Sequence, residues 1–68
     1  MSVYKVIEIV GSSEKSWEDA AKMAVEKAAQ HLEDLRVAEV TSQDMKIENG
    51  KVVAYRTKVS VSFKFKEE

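Results

Sequence analysis

Asn49-Gly50 stands between two long runs rich in β-branched and aromatic residues. That dipeptide is the strongest short signal for a two-residue hairpin turn. The flanking runs, residues 35–48 and 51–66, predict two antiparallel strands. With a type I′ turn, Ile47 faces Val52 at the tip and Val37 faces Ser62 at the far end. One face of the hairpin then collects Ala38 and Val40 with Tyr55, Val59, Val61, Phe63 and Phe65, and should cover a helix. The other carries Val37, Glu39, Thr41, Gln43, Met45 and Ile47 beside Val52, Ala54, Arg56, Lys58 and Ser60. A bulge would shift this register, because one extra residue turns the side chains beyond it to the opposite face.

Upstream, Val3–Val10 reads as a strand that stops at a Gly11 turn. Val3, Ile7 and Ile9 lie on one face and Tyr4, Val6 and Val10 on the other, so this strand wants cover on both sides. From Trp17 the apolar residues fall at 17, 20, 21, 24, 25, 28 and 32, the spacing of an amphipathic helix of about 17 residues. Ser16 is the predicted N-cap, with Asp19 three residues on as a conservative capping box. The order βαββ, with a right-handed crossover, places the third strand between the other two. The predicted fold is α+β, an antiparallel sheet of order 1-3-2 partly wrapped around one helix.

Element lengths expose a surplus. A helix of about 17 residues spans roughly 25 Å, whereas hairpin arms of about 14 residues span roughly 46 Å. The tip, with Met45, Ile47, Val52 and Ala54, has no helix of its own to cover it. The 68 residues allow one domain, residues 1–68, and a domain this small usually needs a staple or a partner. The chain has no Cys for a disulfide and one His, too few for a structural zinc cluster. A homo-oligomer is therefore expected.

Eleven Lys+Arg against twelve Asp+Glu leave a net charge of −1, without the basic surplus of a nucleic-acid binder. No apolar run is long enough to cross a bilayer, and no charged-then-apolar leader is evident, so no membrane partner and a cytoplasmic location are expected. Catalytic signals are weak. Ser12, Ser13 and Ser16 suit turn and capping roles, and His31 suits the end of a helix. The acid pairs Glu18/Asp19, Glu33/Asp34 and Glu67/Glu68 read as solvated charges, and the position of any metal site stays open. Trp17 is expected to pack as an apolar anchor near the turn after the first strand. The polar row Gln43, Arg56, Thr41 and Lys58 is the one group that an oligomer could turn into a shared binding site. Glu39 and Lys58 are expected to pair diagonally across it.

Several segments together resemble the dodecin family, small flavoproteins that assemble twelve copies into a hollow shell. They are Val3-Tyr4-Lys5-Val6, Gly11-Ser12-Ser13, Ser16-Trp17-Glu18-Asp19-Ala20-Ala21, Val37-Ala38-Glu39-Val40, Tyr55-Arg56 and Val59-Ser60-Val61-Ser62-Phe63. The resemblance covers essentially the whole chain and implies a non-enzymatic homododecamer that binds, stores or sequesters a flavin such as riboflavin or FMN. In the family a tryptophan on the second strand stacks on the flavin, a glutamine on the third meets the ring edge, and an acidic residue meets the ribityl chain. These positions fall on Val37, Arg56 and Ser42, all of them substituted. Gln43 and Lys58 are further pocket candidates. Val37 offers no aromatic plane, which should remove about 1–3 kcal/mol per ring, by analogy with bases stacked on aromatics. Arg56 donates but cannot accept. The alternative expectation is therefore a flavin-incompetent shell that binds a metal ion such as calcium, or an anion such as coenzyme A through Arg56 and Lys58.

Overall fold

The computed structural model describes residues 2–64; Phe65, the end of the expected third strand and the acid pair Glu67/Glu68 lie outside the described residues. The elements are β1 (Tyr4–Ser13), α1 (Trp17–Ala29), β2 (Leu35–Glu48) and β3 (Lys51–Lys64). β3 pairs antiparallel with both other strands, so the sheet has the order β1-β3-β2 across one helix. This is the α+β, βαββ layout expected from element order and crossover handedness.

The hairpin turn forms where Asn49 and Gly50 both take positive φ, 52° and 76°, the conformation a type I′ turn requires. Ile47 pairs with Val52, and Val37 with Ser62, as the turn geometry demands. Between them the register shifts. Val53 is an extra residue on β3 and Thr41 an extra residue on β2, so residues 42–46 slide by one position and then return. Gln43 therefore faces Thr57, and Asp44 faces Arg56. This corrects the single polar row expected from ideal alternation: Gln43 does not share a face with Arg56 and Lys58. Met45 moves with it, opposite Tyr55 on the helix side.

Gly11 is not a turn. β1 continues through it to Ser13, and Gly11 pairs with Thr57 beneath α1. A Cβ there would lie 2.9 Å from the Ala24 Cβ and run into the Ala20 carbonyl. The missing side chain is what lets helix and strand backbones approach. At the helix start, Ser16 is extended and its Oγ accepts the Asp19 N–H at 3.0 Å. The other arm of the expected capping box is replaced: the Asp19 carboxylate accepts the Ser13 hydroxyl at 2.6 Å, tying the end of β1 to the first helical turn.

α1 has 13 residues, shorter than the predicted 17. The N–H groups of Gln30 and His31 donate to carbonyls three residues back, on Lys27 and Ala28, and this tightening closes the helix. Asp34 then takes φ 58°, a left-handed conformation that ends helical continuation and leads into β2.

Ile7, Ile9, Gly11 and Ser13 alternate toward the helix, and Val59, Val61, Thr57 and Ala20 are buried between helix and sheet. The rest of the apolar complement is not covered by this chain: Val6, Val10, Val37, Ile47 and Val52 are exposed. The fold measures 52 × 20 × 14 Å, with a radius of gyration of 14.0 Å. A compact domain of this length would have a radius near 11 Å. The overhang is real, and slightly larger than expected because the helix is shorter.

Candidate functional site

The outer face of the sheet, away from α1, carries the candidate residues. Cross-strand partners share a face, so Val37, Ser42 and Asp44 on β2 stand beside Ser62, Lys58 and Arg56 on β3. Gln43, paired with Thr57, belongs to the helix side. Val37 and Arg56 do share a face, but Ser62, the partner of Val37, lies six positions along β3 from Arg56. That is roughly 20 Å along a strand. One small ligand cannot touch both within one chain. Residues from two copies would have to combine.

The shortest side-chain hydrogen bonds on this face belong to an ion pair that ideal alternation does not predict. Arg56 Nε donates to Asp44 Oδ1 at 2.7 Å and Nη2 to Oδ2 at 2.8 Å, a bidentate fork. Bidentate geometry makes this stronger than a single-contact surface pair. Arg56 lowers the Asp44 pKa, chiefly through these hydrogen bonds, and Asp44 raises that of Arg56 in the same way. Both side chains remain about half exposed, 50% for Arg56 and 55% for Asp44. The clue was faint: the two positions are one residue out of ideal register, and the irregularities at Val53 and Thr41 together align them.

Trp17 holds the other side of this strand segment. Its Nε1–H donates to the Asp44 carbonyl at 3.0 Å, and its ring meets the edge of Tyr55 with centroids 5.1 Å apart and planes at 71°. Trp17 is thus an anchor, but on the hairpin rather than on the turn after β1. Its own carbonyl accepts the Thr57 hydroxyl at 2.8 Å. The first helical residue is therefore fastened to both hairpin arms.

Lys58 approaches Glu8 of β1 at 3.8 Å, rather than the expected Glu39. The Thr41 hydroxyl donates to the Lys58 carbonyl at 3.2 Å, closing the bulge onto β3. His31 is exposed near the end of the helix. An open groove of 760 Å³ runs between the start of α1 and the hairpin, beside Lys15, Asp19, Met23 and Val53, and none of the sequence-predicted site residues lines it. Val37 instead borders a smaller groove of 170 Å³ with Val25, Leu35 and Val61. Among the described residues no three or more His, Cys, Asp or Glu side chains are grouped to hold a metal ion. No helix of the described residues is long and apolar enough to cross a membrane.

The class that these features define is a small βαββ unit whose helix leaves the outer sheet face uncovered. The chain belongs to the dodecin family, whose family model matches residues 3–66. It is 50% identical over 66 residues to the calcium dodecin of Mycobacterium tuberculosis, covering 97% of this chain and 93% of that one. The crystal structure of that calcium dodecin, described as a calcium-chelating antigen with a novel calcium-binding site, matches with a TM-score of 0.85. That match covers 98% of this chain and 96% of the other. The dodecin of Streptomyces coelicolor, 33% identical, matches with a TM-score of 0.91 over 98% and 96% of the two chains.

Proposed function

We propose that the chain is a single-domain subunit, residues 1–68, of a hollow homododecameric shell that binds and sequesters a small ligand without catalysis, in the cytoplasm. The observation that carries this reading is the uncovered outer face. Val37 is 64% exposed and Ile47 62%, and Val37 lies too far from Arg56 for the two to act together within one chain. Copies that cover this apolar surface would also bring the separated positions together.

Calcium is the ligand with most support, through the 50% identical calcium dodecin. Calcium takes about six to eight oxygen ligands, and one chain groups no such set among its described residues. The donors fit only if several copies contribute carboxylates or carbonyls to one site. Such a site would form on assembly.

Flavin-type binding is not supported by the residues present. Val37 supplies no plane, Ser42 is not acidic, and Arg56 is already engaged by Asp44. An anionic ligand such as coenzyme A would have to compete with that same carboxylate.

Native mass spectrometry and calorimetry test this reading. The expected result is a mass of twelve chains and saturable calcium binding that disappears in the dissociated subunit. A native mass near 7.7 kDa would overturn the shell. A dodecamer that takes up no calcium would overturn the ligand assignment alone.

A further inference from the structure

Asp44 occupies a fixed place. The register shift between the bulges at Val53 and Thr41 sets it on the outer face opposite Arg56, and Trp17 Nε1–H holds its carbonyl at 3.0 Å. The backbone of Asp44 is therefore held beside position 56 by an anchor on another element, with its side chain on the same face as Arg56. Both of its carboxylate oxygens are engaged by the Arg56 fork, at 2.7 and 2.8 Å.

The edge of a flavin ring presents two carbonyl acceptors around one N–H donor, so its partner must both donate and accept. Arg56 has no acceptor, and the edge of its guanidinium that matches such a partner is turned to Asp44. Replacing Arg56 by Gln would not by itself open the site. The Asp44 carboxylate would take the new amide's N–H groups, and its unpaired charge would face the acceptor carbonyls of the ring.

We propose that Asp44 is a third specificity-determining residue of this face, one that closes position 56 to a flavin edge even when a stacking plane is supplied. The inference rests on the shell reading above, because Val37 and Arg56 meet a common ligand only across copies. It adds to that reading a residue outside the three family positions.

The test compares riboflavin binding, read by fluorescence quenching, in assembled wild-type protein, in Val37→Trp/Arg56→Gln, and in Val37→Trp/Arg56→Gln/Asp44→Ala. Native mass is recorded for each. The expected result is no quenching by wild type, and at least tenfold tighter binding by the triple variant than by the double. If the Ala-containing variant fails to assemble, Asp44→Asn in the same background carries the comparison, with the same direction expected. Equal affinity in double and triple variants overturns the role of Asp44. So does tight binding by wild type, or no binding by either variant while the dodecamer is intact. Loss of the dodecamer in wild type would point instead to failure of the shell reading.

Discussion

Gly11 of β1 lies directly beneath Ala20 of α1, close enough that no side chain fits between strand and helix backbone. The contact sets how near the helix sits to the sheet, and so how deeply Val59 and Val61 are buried.

Gly11→Ala should therefore destabilise the protein. The added methyl meets the Ala20 backbone and the Ala24 methyl, which cannot move aside like the end of a long side chain. Overpacking of this kind costs about 1–3 kcal/mol, and backbone involvement favours the upper end. Gly50→Ala has open space around it but a φ of 76°, so the cost is conformational, about 1–2 kcal/mol. Urea unfolding of both variants checks the order; a neutral Gly11→Ala would contradict the close approach.

Thr57 is fully buried and its hydroxyl donates to the Trp17 carbonyl. Thr57→Val keeps the shape and removes the donor, with an expected loss of about 1 kcal/mol. Thr57→Ser keeps the hydrogen bond and loses only a methyl. Because the bond fastens the helix start to the hairpin, hydrogen exchange of the amides of residues 17–20 should quicken in the Val variant. Unchanged exchange would assign Thr57 to packing alone.

The Asp44–Arg56 pair gives stability an acid limb. Asp44 has a lowered native pKa, so its contribution is fully present above the unfolded carboxylate value near 3.8. It is lost as pH falls below that value through the lowered native one. Arg56, its pKa raised further by Asp44, stays charged throughout this range. Asp44→Asn should flatten the stability profile below about pH 4, and a modest salt dependence should vanish with it. Carboxyl-carbon titration by NMR measures the shift directly; an ordinary Asp44 pKa would mean that the fork is not maintained in solution.

Ile47 and Val52 form the apolar pair nearest the hairpin turn and are 62% and 47% exposed in the single chain. Covering a side chain of this kind between copies contributes about 1.5–3 kcal/mol when burial is complete. Ile47→Glu should shift the native mass toward smaller species, whereas Lys51→Glu, beside it at the turn, should leave assembly intact. An unchanged mass for Ile47→Glu would place the tip outside the subunit contacts.

Much of this architecture follows from local chemistry. Asn49-Gly50 dictates the turn, Ser16 starts the helix, and the lengths of the runs on either side make an overhang unavoidable. Gly11 was legible as a special position but not as a strand residue, because a glycine's need for space belongs to the helix packed over it. Ideal alternation puts Gln43 on the wrong face for a related reason. Strict alternation carries a strand's pattern forward, and nothing within residues 41–46 announces that Thr41 will be skipped.

The amino-acid sequence by itself determined the βαββ order, the pairings of Ile47 with Val52 and of Val37 with Ser62, and the missing aromatic at Val37. Each is a property of neighbours along the chain or of a residue type. Only the tertiary structure decided that Asp44, not Gln43, meets Arg56. Two compensating bulges set that arrangement, and a bulge is settled by how two strands and the helix above them pack together.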